Sequence, residues 1–311
     1  MEERYLYMDL LILAAGMGSR FGGLKQIEPF DEKQNFIIDY SIYDAKQAGF
    51  DRVIFLIKEE NREIFEETVG KRVAKYIDVA YAYQKLDVLP KGYSLPADRV
   101  KPLGTAQAIY CAKDVLKTSF VMINSDDFYG ADAFKVAADY LRTLKKDAKG
   151  EYANIAYYAR NTMTKNGSVK RGVLYFDEKK QLTSLVESKL EWRGEDIYAV
   201  PLDSKEEMKK IPSDSLVSMN MFAFSLDIID KLEENFAPFL DANKNDLMNC
   251  EYLIPTLVSE LIERGEASCK VLSTTSVWHG VTYREDKPEV VASLAKLVEE
   301  GCYPKDRFGK K

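Results

Sequence analysis

The segment Leu11-Ile-Leu-Ala-Ala-Gly-Met-Gly-Ser-Arg-Phe-Gly-Gly-Leu-Lys-Gln26 joins an apolar strand to a glycine-rich turn with one arginine and one lysine. The backbone N–H groups of such a turn, and of the helix N-terminus after it, can surround phosphate oxygens. Arg20 offers a guanidinium fork and Lys25 a point charge for the remaining oxygens. The segment therefore predicts a nucleoside triphosphate site on an α/β sheet. An ordinary tight connection between strand and helix remains the alternative.

Two better-known glycine motifs do not describe this turn. In the phosphate loop of P-loop proteins a hydroxyl residue follows the lysine, whereas Gln26 follows Lys25 here. In the dinucleotide-binding motif a third glycine permits close packing of helix and strand, whereas Phe21 occupies that place here. Neither class of binding loop is predicted.

Composition limits the classes of protein that fit the chain. Its 311 residues can bury the core of one large α/β domain, and 46% hydrophobic with 30% charged residues is typical of a soluble protein. A net charge of −6 argues against a nucleic-acid or anionic-membrane surface. The first apolar run is too short to cross a bilayer and lacks a basic leader. Four widely spaced cysteines without a CxxC pair indicate neither a zinc site nor a disulfide framework, so we expect a cytoplasmic protein.

Apolar runs of strand length alternate with amphipathic runs of helix length over the first half of the chain. Such alternation predicts a Rossmann-like mixed, mainly parallel sheet flanked by helices. The predicted strands of this half are Leu10–Ala15, Val53–Ile57, Val79–Tyr83 and Phe120–Ile123, and the predicted helices are Asp39–Ala48, Arg62–Val69 and Thr105–Leu116.

Beyond Gly150 the pattern changes to short strands with few helices between them. We expect these strands to extend the sheet and to build a smaller second lobe across a cleft. The predicted strands are Ile155–Tyr158, Gly172–Phe176, Ser184–Val186 and Val217–Phe224, and the closing helices are Leu226–Asn235, Tyr252–Arg264 and Pro288–Glu299.

Ligands of open α/β sheets bind at the carboxyl ends of the parallel strands. The sequence Asn124-Ser-Asp-Asp-Phe-Tyr-Gly130 follows a predicted strand and places two adjacent carboxylates there. Carboxylates of this kind suit Mg²⁺, which a triphosphate usually brings with it. An Asx-type turn without a metal is the alternative reading of the same residues.

These segments, in this order, resemble the signatures of the sugar-phosphate nucleotidyltransferases, also called nucleotide-sugar pyrophosphorylases. The glycine-rich loop with Lys25 resembles their signature loop. Six later segments are similar to their base-reading, metal-binding and sugar-binding elements over the first two-thirds of the chain: Tyr81–Gln84 with Leu103–Ala108, Ser125–Gly130, Arg171–Asp177, Val186–Lys189 and Met219–Phe222.

The resemblance implies that a sugar 1-phosphate attacks the α-phosphorus of a nucleoside triphosphate and that pyrophosphate leaves. It implies Arg20 and Lys25 as catalytic residues and Asp126 as the Mg²⁺ ligand, with Asp127 as the alternative ligand. Gln84 would offer the base both a donor and an acceptor. The implied nucleotide-binding residues are Ala14, Ala15, Gly16, Gly18, Ser19, Gln84, Gly104 and Thr105, and the implied sugar-binding residues are Gly172, Glu187, Lys189 and Asn220.

The same resemblance implies one domain over residues 1–311. Residues 1–150 would form the nucleotide-binding half, 151–285 the sugar-binding half and 286–311 a C-terminal helical tail. The expected partners are the two substrates, with no nucleic acid and no membrane, and a homo-oligomer is left open.

Three departures from the family pattern qualify the resemblance. A Trp-x-Asp-x-Gly-Thr segment often carries a second metal-binding carboxylate in the family, whereas Trp278-His-Gly-Val-Thr282 has none at that place. Ser188 separates Glu187 from Lys189, although the two residues are usually adjacent in the family. The span 85–102 between the base-reading elements is longer than usual and is interpreted as an ordered loop or lid near the nucleotide.

Three classes of function stay open. The first is nucleotidyl transfer, with a sugar 1-phosphate or with a non-sugar acceptor such as phosphocholine. The second is a non-catalytic regulatory homologue that binds a nucleotide sugar, which the missing late carboxylate favours. The third is a glycosyltransferase, against which the glycine-rich loop with its arginine argues.

Overall fold

A computed structural model describes residues 7–16, 29–30, 35–281, 283 and 285–305. The strands in chain order are β1 (Asp9–Leu13), β2 (Arg52–Ile57), β3 (Asp78–Tyr83), β4 (Phe120–Asn124), β5 (Asp127–Phe128), β6 (Glu151–Tyr158), β7 (Val169–Phe176), β8 (Leu182–Arg193), β9 (Asp196–Pro201), β10 (Lys209–Ile211), β11 (Leu216–Phe224), β12 (Ser268–Thr274) and β13 (His279–Gly280).

The helices surround these strands. In chain order they are α1 (Ile37–Ala48), α2 (Arg62–Phe65), α3 (Lys71–Val73), α4 (Thr105–Cys111), α5 (Ala131–Thr143), α6 (Ile228–Ala242), α7 (Ile254–Glu263) and α8 (Asp286–Glu299). A π-helical turn over Glu66–Gly70 links α2 to α3, so that residues 62–73 are helical throughout.

Eleven strands of the described ranges form one sheet that runs through both halves of the chain. Strands β3, β2, β1 and β4 lie side by side and parallel, and β11 runs antiparallel to β4. The antiparallel ladder β7–β8–β9–β10 starts from the same β11, and β6 with β12 lies along its other side. The mixed sheet with parallel core strands and flanking helices confirms the predicted fold class.

The sheet forks at β11. Val217 and Ser218 pair with β7, whereas Phe222–Phe224 pair with β4, and the register against β6 shifts between these two stretches. Asn220 at the shift has a φ of 60°, in the left-handed region where asparagine is enriched. The parallel strands and the ladder of the second half therefore diverge from one point.

Helices cover both faces of the parallel strands, as an α/β sheet buried on both sides requires. Ile38 and Ile42 of α1 pack with Phe134 of α5 in the core on one face. Ile109 of α4, Leu232 of α6 and further apolar residues of α7 form the core on the other face. A smaller cluster joins α8 to α1 through Tyr40, Leu294 and Tyr303. Within the described ranges, no helix is long and apolar enough to cross a membrane.

Several elements differ from the sequence expectations. Helix α5 was not predicted, although Phe134, Ala137 and Leu141 give it a buried face at helical spacing. The predicted helix Thr105–Leu116 ends at Cys111, because Ala112 leaves the helical region. Strand β8 is much longer than predicted, and strands β9, β10 and β12 were missed. Exposed polar residues interrupt the apolar positions of β8, β10 and β12.

Candidate functional site

The carboxyl ends of the parallel strands bring residues Ala14–Gly16 and the acidic segment together. Leu13 at the end of β1 is in register with Asn124 at the end of β4, and the Ser125 N–H donates to the Leu13 carbonyl at 3.2 Å. Ala14 and Ala15 are buried after β1, and Gly16 is exposed with open space where a Cβ would stand. The predicted residues Gly18, Ser19, Arg20 and Lys25 lie outside the described residues.

A cavity of about 290 Å³ lies beside this edge, at the end of β3. Ala15 and Gln84 line it together with Leu86, Val100 and Pro102 of the long loop over residues 85–102. The structure thus brings two predicted nucleotide-binding residues to one cavity, and the loop that departs from the family pattern forms part of its wall.

Gly104 and Thr105 start α4 behind this cavity. Gly104 has a φ of 103°, and a Cβ there would stand 2.6 Å from the carbonyl oxygen of Tyr252, so that only glycine fits. The Gly104 carbonyl lies 3.4 Å from Gln84 Nε2, whereas the Thr105 hydroxyl accepts the Ile254 N–H at 3.0 Å. Gly104 therefore contacts the predicted base reader, and Thr105 joins α4 to the start of α7.

The acidic segment after β4 holds Asp127 in a fixed position. Asp127 Oδ2 accepts a hydrogen bond from Asn124 Nδ2 at 2.9 Å and lies 3.3 Å from the Tyr129 hydroxyl. Asp126, the predicted metal ligand, is half-buried beside it. Two neighbouring carboxylates at a strand end fit a hard cation that takes its other ligands from water and phosphate. No group of three or more metal-ligating side chains occurs among the residues described.

Tyr129 anchors this turn from below. Its ring is fully buried, and its hydroxyl accepts the Asn124 N–H at 3.0 Å. The hydroxyl lies 3.2 Å from the Met219 carbonyl, so it can donate either to that group or to Asp127. Burial, with a smaller contribution from the Asp127 charge, raises the pKa of Tyr129 well above its ordinary value. The hydroxyl therefore stays protonated and available as a donor.

Asn220 connects the acidic segment to the fork of the sheet. Its Nδ2 donates to Asn124 Oδ1 at 2.9 Å, and its backbone N–H donates to Ser218 Oγ at 3.3 Å. Asn154 of β6 donates to the same Ser218 Oγ at 2.7 Å. A continuous chain of polar contacts thus runs from Asp127 through Asn124 and Asn220 to the second half of the molecule.

The remaining predicted sugar-binding residues lie on the ladder that leaves the fork. Gly172 pairs with Ser218 on one side and with Glu187 on the other. A Cβ at Gly172 would stand 2.8 Å from the Leu185 side chain and 3.3 Å from Glu187 Oε1, so a larger residue at this position would displace Leu185. Desolvation raises the pKa of Glu187, although the charges of Arg171 and Lys170 oppose the shift.

Ser188 lies between Glu187 and Lys189 and so places both side chains on the same face of β8, whereas two adjacent residues would point to opposite faces. Successive side chains of a strand alternate between faces, so Glu187 and Lys189 share one face while Ser188 is buried on the other. Lys189 pairs with Lys170 in the ladder, and both side chains are exposed. Lys170 was not predicted; it lies two residues before Gly172, on the same face.

Arg171 is a further buried polar residue near the site, and the sequence analysis did not single it out. Its guanidinium is buried, bonds to the hydroxyl and carbonyl of Thr162, and lies 4.6 Å from the ring of Trp278. Burial lowers the pKa of Arg171 to about 10, and the charges of Asp127 and Glu187 oppose the shift. The arginine remains a cation at neutral pH, between the carboxylates of the two halves.

Strand β13 closes the site over the acidic segment. Gly280 pairs with Asp127, and His279 pairs with Phe128. A Cβ at Gly280 would meet the Trp278 indole and would stand 3.0 Å from Asp127 Oδ1. Gly280 stands at the position where the resembled family often carries its late carboxylate. In this chain the carboxylate of Asp127 lies beside that glycine.

His279 is the single histidine of the chain and pairs with Phe128. Its ring centroid lies 5.7 Å from that of Phe128, and burial lowers the pKa of His279. The imidazole is therefore neutral at physiological pH, as expected of a structural residue.

Comparison with known proteins agrees with this architecture. The model of the nucleotidyl transferase family matches residues 10–281. The bifunctional protein GlmU of Staphylococcus carnosus (strain TM300) is 24% identical over 261 residues, which are 82% of this chain and 45% of that protein. The chain thus spans less than half the length of this curated relative.

Solved structures share the fold. The inositol-1-phosphate CTP transferase from T. maritima superposes with a TM-score of 0.59 at 12% identity, covering 95% of this chain and 98% of that one. A putative glucose-1-phosphate thymidylyltransferase from Bacillus anthracis gives 0.59 at 14% identity, over 92% and 94%. A UDP-glucose pyrophosphorylase complexed with UDP-glucose gives 0.55 at 14% identity, over 94% and 99%. At such identities the likeness concerns the fold alone.

Proposed function

The chain belongs to the nucleotidyl transferase family, and we propose that it transfers a nucleotidyl group from a nucleoside triphosphate to a sugar 1-phosphate, with Mg²⁺ as cofactor and pyrophosphate as the second product. The observation that carries the proposal is the polar chain Asp127–Asn124–Asn220 at the fork of the sheet. It links the acidic segment beside the glycine-rich loop to the strand that pairs with Gly172. An acceptor in the cleft would thus lie next to the triphosphate.

The task of the protein in this reaction is to hold two anions in line. Positioning alone supplies much of the rate when the reacting atoms are close and aligned, and no covalent nucleophile is needed. Arg20 with the backbone of Gly16 and Gly18 binds the leaving pyrophosphate. Lys25 would stabilise the charge that grows on the attacked α-phosphate.

The two ends of the substrate pair would be held by the remaining residues. Gln84 and Gly104 would bind the base beside Ala15. Ser19 and Thr105, the first residue of α4, would also bind the nucleotide. Glu187 and the backbone of Gly172 would contact the sugar hydroxyls together with Asn220, and Lys189 would pair with the sugar phosphate. Lys170, on the same face, adds a second cation there.

Asp126 is the proposed Mg²⁺ ligand, with Asp127 as the alternative. Mg²⁺ held by Asp126 would neutralise phosphate charge. Asp127 already has one oxygen held by Asn124, so its first role is to fix the wall of the site. Its other oxygen lies against Gly280.

The position of Asp127 favours an enzyme over a non-catalytic sensor. The missing late carboxylate was the feature that pointed to a sensor. Because β13 pairs with β5, a carboxylate on β5 reaches the region that a side chain at residue 280 would occupy. The chain therefore has an acidic group near that place.

The metal assignment is tested with Mn²⁺ as a probe, by electron paramagnetic resonance of the protein with a nucleoside triphosphate. Asp126→Asn should weaken Mn²⁺ binding about tenfold or more and should abolish Mg²⁺-dependent pyrophosphate release. Asp203→Asn, in an exposed turn after β9, serves as the control and should change neither. Loss of Mn²⁺ binding in Asp127→Asn with normal binding in Asp126→Asn would move the ligand to Asp127.

A further inference from the structure

Gln107 is a fully buried polar residue of α4 to which the proposed reaction assigns no role. Its Nε2 donates to the carbonyl oxygen of Lys85 at 2.7 Å. A backbone carbonyl can only accept, so the amide of Gln107 must present its nitrogen to Lys85. Gln107 Oε1 consequently faces the other way, towards Gln84.

The orientation of Gln84 follows from that of Gln107. Gln84 Nε2 lies 2.9 Å from Gln107 Oε1 and 3.4 Å from the carbonyl oxygen of Gly104. Both neighbours are acceptors, so they take the two N–H bonds of the Gln84 amide. The group that Gln84 can turn towards the cavity is Oε1, an acceptor. The sequence expectation that Gln84 would offer the base both a donor and an acceptor does not fit these contacts.

We propose that Gln107 is a positioning residue that fixes Gln84 as an acceptor and thereby makes the site prefer a base with a ring N–H. Uracil, thymine and guanine carry such a ring donor, whereas cytosine and adenine carry a ring nitrogen lone pair at the equivalent place. The inference rests on the proposed base-reading role of Gln84. A lone pair facing Oε1 leaves the buried acceptor unpaired and adds repulsion, which disfavours that base.

The closeness of the cavity to this amide supports the inference. Gln84 lines the cavity with Ala15, and the apolar wall of Leu86, Val100 and Pro102 suits the face of a base. The anchor carbonyl belongs to Lys85, at the start of the same loop. The orientation of the base reader and the start of the loop are therefore set by one buried side chain.

The test measures binding and pyrophosphate release with UTP, CTP, GTP, ATP and N3-methyl-UTP, in the presence of Mg²⁺ and a panel of sugar 1-phosphates. UTP should be preferred over CTP, or GTP over ATP, by about tenfold or more in kcat/KM. Where UTP is the substrate, methylation of its N3 should remove the preference. Preference for CTP over UTP or for ATP over GTP, or equal use of UTP and N3-methyl-UTP by an enzyme that uses UTP, would overturn the inference.

Gln107→Met removes the anchor while keeping the length of the side chain. The ratio of kcat/KM between ring N–H and lone-pair bases should fall towards one, mainly through KM, while circular dichroism shows a retained fold. Gln181→Met, at a half-buried position outside the cavity lining, should leave the ratio unchanged. An unchanged ratio in folded Gln107→Met would refute the positioning role.

The outcomes separate this inference from the function on which it rests. If no nucleoside triphosphate binds to the wild-type protein, both proposals fail. If triphosphates bind and release pyrophosphate without regard to the ring N–H, only the role of Gln107 fails.

Discussion

Removal of the Tyr129 hydroxyl tests whether the buried tyrosine holds the acidic turn in place. The hydroxyl accepts the Asn124 N–H and lies within hydrogen-bond distance of Met219 and Asp127. Tyr129→Phe leaves the buried N–H without its partner, which costs about 1–3 kcal/mol of the free energy of unfolding. Because Asn124 also orients Asp127 and Asn220, displacement of the turn should lower kcat by about tenfold.

Tyr140→Phe provides the matched control for this variant. Tyr140 is also buried, on α5, but its hydroxyl makes no hydrogen bond to the residues that the structure describes. Its removal should therefore change the free energy of unfolding by about 0.5 kcal/mol or less. Urea denaturation followed by circular dichroism measures the first quantity, and pyrophosphate release measures kcat. Equal stability and equal kcat in the two variants would refute the assignment of an anchoring role to Tyr129.

Two further substitutions probe the base side and the closing strand. Gly104→Ala should destabilise the protein by about 1–3 kcal/mol more than Gly92→Ala, because both residues have a φ above 90° but only a Cβ at Gly104 would contact a backbone carbonyl. Equal unfolding free energies in urea would contradict this steric argument. The single histidine resonance in proton NMR should titrate below 6.5, since burial lowers the pKa of His279. The folded state then binds the proton less tightly than the unfolded state, so stability falls as the pH drops below about 6.5, and His279→Gln should flatten that dependence. A histidine that titrates at or above 6.5 would contradict it.

Much of the fold follows from the sequence because its apolar runs are long and regular. The parallel strands after the glycine-rich segment are continuous apolar stretches, which a sheet buried on both faces requires. The ladder β8–β10 is different, since many of its side chains are exposed and its apolar period is weak. Helix α5 was not predicted, although its buried apolar residues recur at helical spacing.

The candidate site divides in a similar way between what residue types indicate and what geometry adds. The resemblance to the family selects Gln84, Asp126, Gly172 and Asn220 as expected site residues, and their roles stay predictions. The hydrogen-bond direction of Gln84 depends on Gln107, which lies 23 residues away on a helix, and no local pattern indicates it. The fork at Asn220 depends on a left-handed residue where two ladders meet, and a strand pattern of apolar residues does not show it.

The most direct test of the proposed reaction follows the phosphorus atoms of the triphosphate. The protein is incubated with Mg²⁺, sugar 1-phosphates and a nucleoside triphosphate labelled with ³²P at either the α or the γ position. We predict that the α label appears in a nucleotide sugar and the γ label in pyrophosphate, in equal amounts. An α label that stays in a nucleoside diphosphate or monophosphate, or no transfer with any triphosphate and sugar phosphate pair, would contradict it.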